Sequence, residues 1–130
     1  AVLEAYGVEG RVAWLELDLG TVLDGPHGTR KYTPVSKFPS SDIDLAFVAD
    51  ASVAASAIEG SLRKGGGALL VDLELFDVYR GPGVDEGSRS LTYRLRFQSI
   101  DRTLTDADVA TVRESCLNQV AKKTGALLRE

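Results

Sequence analysis

The sequence predicts an α+β domain in which a four-stranded antiparallel sheet carries two helices on one face. Three observations predict it. From residue 42 onward the hydrophobic pattern switches between period two and period 3.6, in the order strand, helix, strand, strand, helix, strand. The length of 130 residues suits one such domain. Hydrophobic residues make up 44% and charged residues 26%, which is ordinary globular composition, far from the low-hydrophobicity, high-charge signature of disorder.

Ahead of that domain, Leu3, Ala5 and Tyr6 followed by Gly7 read as the last turn of a helix with a glycine stop. Arg11 to Leu19 (RVAWLELDL) reads as a strand whose apolar face is Ala13, Leu15, Leu17 and Leu19. A lone strand cannot bury that face, so it either packs on the following domain or has lost its native sheet. Residues 24 to 41 then hold three of the four prolines with two glycines and several hydroxyl residues, the composition of a linker. The expected organisation is a tail of a preceding domain at 1–23, a linker at 24–37 and the main domain at 38–130.

In the main domain, Asp42 to Ala49 is the first strand, and Ser52 is the expected N-cap of a helix that buries Val53, Ala57, Ile58 and Leu62 and stops at Gly65 to Gly67. Ala68 to Tyr79 is the second strand, alternating until about Phe76, where a bulge or bend is expected. Residues 80–88 (RGPGVDEGS) turn the chain into the third strand, Ser90 to Phe97, with Leu91, Tyr93, Leu95 and Phe97 on one face and Ser90, Thr92, Arg94 and Arg96 on the other. Thr105 and Asp108 have capping-box spacing, and Leu104 and Val109 stand where a hydrophobic staple would. Val109, Val112, Cys116, Leu117 and Val120 then recur at helical spacing, Lys122 and Lys123 suit the carboxyl end, and Gly125 stops the helix. Ala126 to Arg129 makes a short last strand. The result is the ferredoxin-like split βαββαβ sandwich, which leaves the second face of its sheet open. Parity places Asp44, Ala46 and Val48 on that open face beside Ser90, Thr92, Arg94 and Arg96, and a bulge at Phe76 adds Asp77 and Tyr79.

The scarce residues narrow the chemistry. Cys116 is the only cysteine and His27 the only histidine, so disulfides and cysteine-based or multi-histidine metal sites within one chain are excluded. Without any methionine and with Ala1 at its head, the chain reads as a fragment or processed piece. No apolar run approaches the ~18 residues of a membrane-spanning helix and no secretory signal opens the chain, which points to a soluble cytoplasmic protein. A formal charge of -4 argues against a polybasic nucleic-acid binder, not against a selective weak one.

Candidate motifs are few. The phrase GPGVDEG lacks the lysine and hydroxyl residue of a phosphate-binding loop, and Gly65 to Gly67 follows a helix where a dinucleotide fingerprint follows a strand. Asp42, Asp44, Asp72 and Glu74 are paired acids for hydrolysis or a divalent cation, or else the polar face of alternating strands. His27 reads as a solvated linker residue and Cys116 as a small core residue. Arg94 and Arg96 beside Ser90, with Tyr79 near, are either an ordinary solvated face or a surface for single-stranded RNA, where base stacking is worth roughly 1 to 3 kcal/mol per ring.

The stretch from Phe38 to the end resembles the C-terminal ferredoxin-fold anticodon-binding domain of the bacterial-type phenylalanyl-tRNA synthetase beta subunit. Its carriers are Phe38-Pro39, DIDLAFV at Asp42 to Val48, ELFDVYRG at Glu74 to Gly81, SLTYRLRF at Ser90 to Phe97 and RTLTDADV at Arg102 to Val109. The front stretch LEAYGVEGRVAWLELDL resembles the last helix and strand of the preceding catalytic-like domain of that subunit. The resemblance implies a ligase that joins phenylalanine to its tRNA with ATP and magnesium as an α2β2 tetramer. It also implies that this segment is non-catalytic, holds no cofactor or metal, and grips the anticodon stem-loop of tRNA(Phe). Asp77 and Ser90 would then hydrogen-bond base edges, Tyr79 would stack and Ala46 would leave room for a base. Arg94 and Arg96 are inferred from parity as phosphate contacts. The alternatives are a protein-interaction domain using the open sheet and a small enzyme of the acylphosphatase kind. The latter needs a phosphate-binding arginine loop after the first strand, where this chain has Asp50, Ala51 and Ser52.

Overall fold

A computed structural model describes residues 2–10, 12–25, 28, 32 and 34–129. The chain divides into two units, Ala1–Thr33 and Pro34–Glu130. His27 and Arg11 lie outside the described residues.

In the first unit a short helix α1 (Val2–Ala5) ends as its glycine signal predicts: Gly7 adopts a φ of 63°, and the amides of Gly7 and Val8 donate to the carbonyls of Glu4 and Leu3. The strand expected at 11–19 does not form over its described residues. Residues 12–18 carry no strand, and a second short helix, α2 (Leu19–Leu23), starts at Asp18, whose carboxylate accepts from the Gly20 amide and the Thr21 hydroxyl. Alternation specifies only which face a strand would bury, whereas forming one needs a neighbour to complete the ladder. Trp14 is 81% and Leu15 76% exposed.

The second unit holds strands β1 (Ser41–Asp50), β2 (Leu70–Tyr79), β3 (Ser88–Phe97) and β4 (Leu127–Leu128), with helices α3 (Ala55–Gly66) and α4 (Asp106–Thr124). The sheet order is β2-β3-β1-β4 and every pairing is antiparallel. Leu45, Phe47 and Ala49 of β1 and Leu91, Tyr93, Leu95 and Phe97 of β3 form one buried core with Ile58 and Leu62 of α3 and Val112, Cys116 and Val120 of α4. Both helices therefore cover the same side of the sheet. Burial pushes the Tyr93 phenol up to about 12, and its hydroxyl donates to the Ala55 carbonyl; burial likewise raises the Cys116 thiol to about 11.

Helix entry follows the sequence signals at one helix and departs from them at the other. At α4, Thr105 and Asp108 make the reciprocal capping box, Leu104 and Val109 pack on the core, and Gly125 closes the helix in the left-handed region. Thr105→Ala is expected to cost about 1 kcal/mol of stability; an unshifted urea midpoint would contradict the cap. At α3, Ser52 does not cap. The Asp50 carboxylate captures both its amide and its hydroxyl, and the helix starts three residues later, with Ala54 at the cap position. The turn around Asp50 holds the Ser52 hydroxyl toward that upstream acid, a preference that helix spacing alone does not register.

Candidate nucleic-acid interface

The face away from the helices is built in rows across the strands. Strand register puts Tyr79, Ser90 and Val48 in one row and Asp77, Thr92 and Ala46 in the next. Behind them come Glu74, Arg94 and Asp44, then Asp72, Arg96 and Asp42. The first two rows depend on a bulge. Leu75 pairs with Tyr93 but Asp77 with Thr92, so Phe76 is an extra residue that reverses the parity of the rest of β2. Without it, Asp77 and Tyr79 would face the helices.

Tyr79 is 36% exposed, and its hydroxyl donates to the Pro82 carbonyl at 3.2 Å. Its ring lies 5.2 Å from the Arg129 guanidinium. Arg129 follows β4, with its amide bonded to the Ala46 carbonyl, so the two side chains come from opposite edges of the sheet. At a strand spacing of about 4.8 Å, such a pair has to cross β1 and β3, which places it over the row of Ser90 and Val48. Ser90 accordingly is only 1% exposed although it points away from the core, and its Oγ has no hydrogen-bond partner among the described residues. The Asp77 carboxylate is exposed beside it. Close approach shapes this corner too: a Cβ on Gly81, whose φ is 158°, would lie 2.7 Å from the Tyr79 hydroxyl.

Arg94 and Arg96 stand on the predicted face, but their charge is not free. Arg94 donates from Nε and Nη2 to both oxygens of Asp44 at 2.9 and 2.8 Å, and Arg96 makes the same fork with Asp42. These hydrogen bonds hold both carboxyls below their usual range and raise both guanidiniums. With Asp72 and Glu74 on the far side of β3, the two rear rows carry a surplus of two negative charges. A phosphate contact from either arginine would therefore compete with a matched carboxylate in an acidic field. Asp42, Asp44, Asp72 and Glu74 form the polar side of alternating strands, and among the described residues no group of three or more acids, histidines or cysteines is placed to hold a metal ion.

Acid should weaken this arrangement. Carboxyls whose folded values lie below those of the unfolded chain contribute stability above about pH 4 that is lost as pH falls through the folded values. Asp108, held far below its usual range by the Arg102 fork and the Thr105 donors, acts in the same direction. The urea midpoint is expected to fall on acidification below about pH 4; a rising midpoint would contradict the assigned pairs.

Two side chains escaped the sequence reading. Phe76 is 45% exposed on the open face, with the Arg94 guanidinium 4.9 Å from its ring centre; the expected bulge was the signal, since the extra residue itself turns outward. Arg129 shares its parity with Leu127 opposite Val48, so alternation in the last strand was the available clue.

Comparison with known proteins gives a consistent result. Residues 36–129 match the family model of the ferredoxin-fold anticodon binding domain. The chain is 44% identical over 129 residues to a phenylalanine–tRNA ligase beta subunit of Nocardia farcinica, covering 99% of this chain and 15% of that protein. Beta subunits of Moorella thermoacetica and Vibrio cholerae are 40% and 38% identical, over 99% and 96% of this chain and 16% of each relative. The chain thus spans about a sixth of the length of these relatives.

Proposed function

The chain belongs to the family of ferredoxin-fold anticodon binding domains, and from that premise we propose that its open sheet face receives the unpaired bases of the tRNA(Phe) anticodon loop. The observation that carries the reading is the Ser90 hydroxyl, a buried polar group without a partner in the two rows that also hold Tyr79, Asp77 and Ala46. Buried polar groups are nearly always paired, and a base edge supplies the missing partner once the Tyr79 and Arg129 side chains part. Tyr79 then stacks on a base, Asp77 accepts from an exocyclic amine or ring N–H, and the small Ala46 lets a base lie close to the sheet. Arg94 and Arg96 take part from within their pairs with Asp44 and Asp42, so base recognition rests on the front rows.

In this reading the longer protein is a phenylalanine–tRNA ligase beta subunit. Residues 1–23 close its preceding domain, 24–37 are a linker and 38–130 are the anticodon module. The exposed Trp14 and Leu15 support a partner for the first segment in chain beyond this piece. Aminoacylation, with its ATP and magnesium, is carried out elsewhere, in an α2β2 assembly with an alpha subunit in the cytoplasm. No helix of the described residues is long and apolar enough to cross a membrane.

A titration tests the proposal. At one stated salt concentration, a GAA anticodon stem-loop should bind more tightly than one with a changed anticodon. Tyr79→Ala should weaken binding by about 1 to 3 kcal/mol while leaving the denaturation midpoint in place. Superimposable curves for the two RNAs would favour a protein-interaction role for the same face.

A further inference from the structure

We propose that Phe76 and Arg94 together form a second stacking platform on the open face, taking one unpaired RNA base next to the base on Tyr79. The inference rests on the reading of this face as an anticodon site and adds to it a subsite that does not use the Tyr79 row.

The bulge makes the platform. Leu75 turns toward the core and Asp77 faces outward opposite Thr92, so the intervening Phe76 has no cross-strand partner and its ring is left 45% exposed. The two helices lie on the other side of the sheet and leave this ring without a second layer over it. Arg94 supplies the cover: its guanidinium sits 4.9 Å from the ring centre, within cation–π range. Asp44 then fixes that guanidinium through both of its oxygens, at 2.9 and 2.8 Å. The charge of Arg94 is matched within the sheet, but the fork orients its plane beside an aromatic ring, and guanidinium planes and aromatic rings are surfaces on which proteins stack splayed RNA bases. The location also fits. Phe76 borders the front rows, where Asp77 is the one acid and the Arg129 guanidinium lies by the Tyr79 ring, whereas the rows behind it carry the surplus of two negative charges that discourages a phosphate backbone from going further. A base at this boundary gains stacking while its phosphate stays off the rearmost row of Asp42, Arg96 and Asp72.

The pairing separates Arg94 as a planar surface from Arg94 as a phosphate contact. The experiment is a titration of the GAA anticodon stem-loop against the chain and its variants Phe76→Ala, Phe76→Leu, Arg94→Lys and Tyr79→Ala, each at several salt concentrations, with urea midpoints measured on the same samples. Phe76→Leu keeps an apolar side chain under Arg94 and removes the ring, so it reports on stacking should the alanine variant fold poorly. Loss of one stacking surface predicts roughly a five- to hundredfold weaker affinity for Phe76→Leu. Arg94→Lys keeps the charge but loses the plane and the fork, so it too should weaken binding, with the slope of affinity against salt unchanged. Binding by Phe76→Leu within twofold of the parent, with Tyr79→Ala clearly weakened, overturns the platform and leaves the anticodon reading standing. Full affinity in Arg94→Lys overturns it likewise. Parent-like binding by Tyr79→Ala as well as Phe76→Leu, or no saturable binding by the parent chain, removes the anticodon reading and the platform together.

Discussion

Phe47→Ala is expected to lower the unfolding free energy by about 3 to 5 kcal/mol, the usual cost of emptying a buried phenyl site. Phe47 is 1% exposed and meets Tyr93 edge to face, with ring centres 6.3 Å apart at 61°. The loss combines the transfer of the ring to water, a cavity between sheet and helices, and an aromatic pair worth about 0.5 to 1.5 kcal/mol. Against a total of about 5 to 15 kcal/mol for a typical domain, that is a large fraction. Phe47 also lies between Ala46 and Val48, which face the other way, so the same substitution loosens the strand beneath the proposed site. Urea denaturation checks it, and a loss below about 1 kcal/mol would mean that the ring is not sealed in the core.

Gly65→Ala is expected to destabilise the chain by about 2 kcal/mol or more, against the sign that helix propensity alone requires. Exchanging glycine for alanine inside a helix ordinarily stabilises by about 1 kcal/mol. At Gly65, however, a Cβ would fall 2.5 Å from the Cys116 Cα, 2.8 Å from its amide nitrogen and 2.9 Å from the Ser115 carbonyl oxygen. These are backbone atoms of α4 and cannot rotate aside, so the helices must separate and the Cys116 contact with the Leu62 carbonyl goes with them. Gly60 in the same helix is the control. A Cβ there meets nothing within 4 Å, so Gly60→Ala should follow propensity and stabilise by about 1 kcal/mol. Opposite signs for the two substitutions would establish the close α3–α4 approach; a stabilised Gly65→Ala would contradict it.

The parts of this fold that were legible in the sequence are those set by local chemistry. The alternation from Leu91 to Phe97 specifies four buried positions because one β-strand has only two faces. The capping box at Thr105 and Asp108 is legible because all its donors and acceptors lie within one turn. The bulge at Phe76 is legible as a break in that alternation, and it correctly brings Asp77 and Tyr79 to the open face. What pattern alone missed depends on groups outside its own short window. Residues 12–18 have no ladder partner among the described residues, and the Ser52 hydroxyl is turned to Asp50. The guanidiniums of Arg94 and Arg96 are claimed by carboxylates fifty or so positions earlier. Ser90 lies under side chains from both edges of the sheet, a burial that no periodicity in its own strand encodes.

The central claim is that unpaired bases settle on the bare side of the sheet. Amide chemical shifts of the isotopically labelled chain, followed during addition of the GAA stem-loop, test it most directly. The changing amides should be those of Ala46, Phe76, Asp77, Tyr79, Ser90 and Thr92, with the amides of α3 and α4 staying in place. Changes gathered on the two helices while those six stay fixed would contradict it.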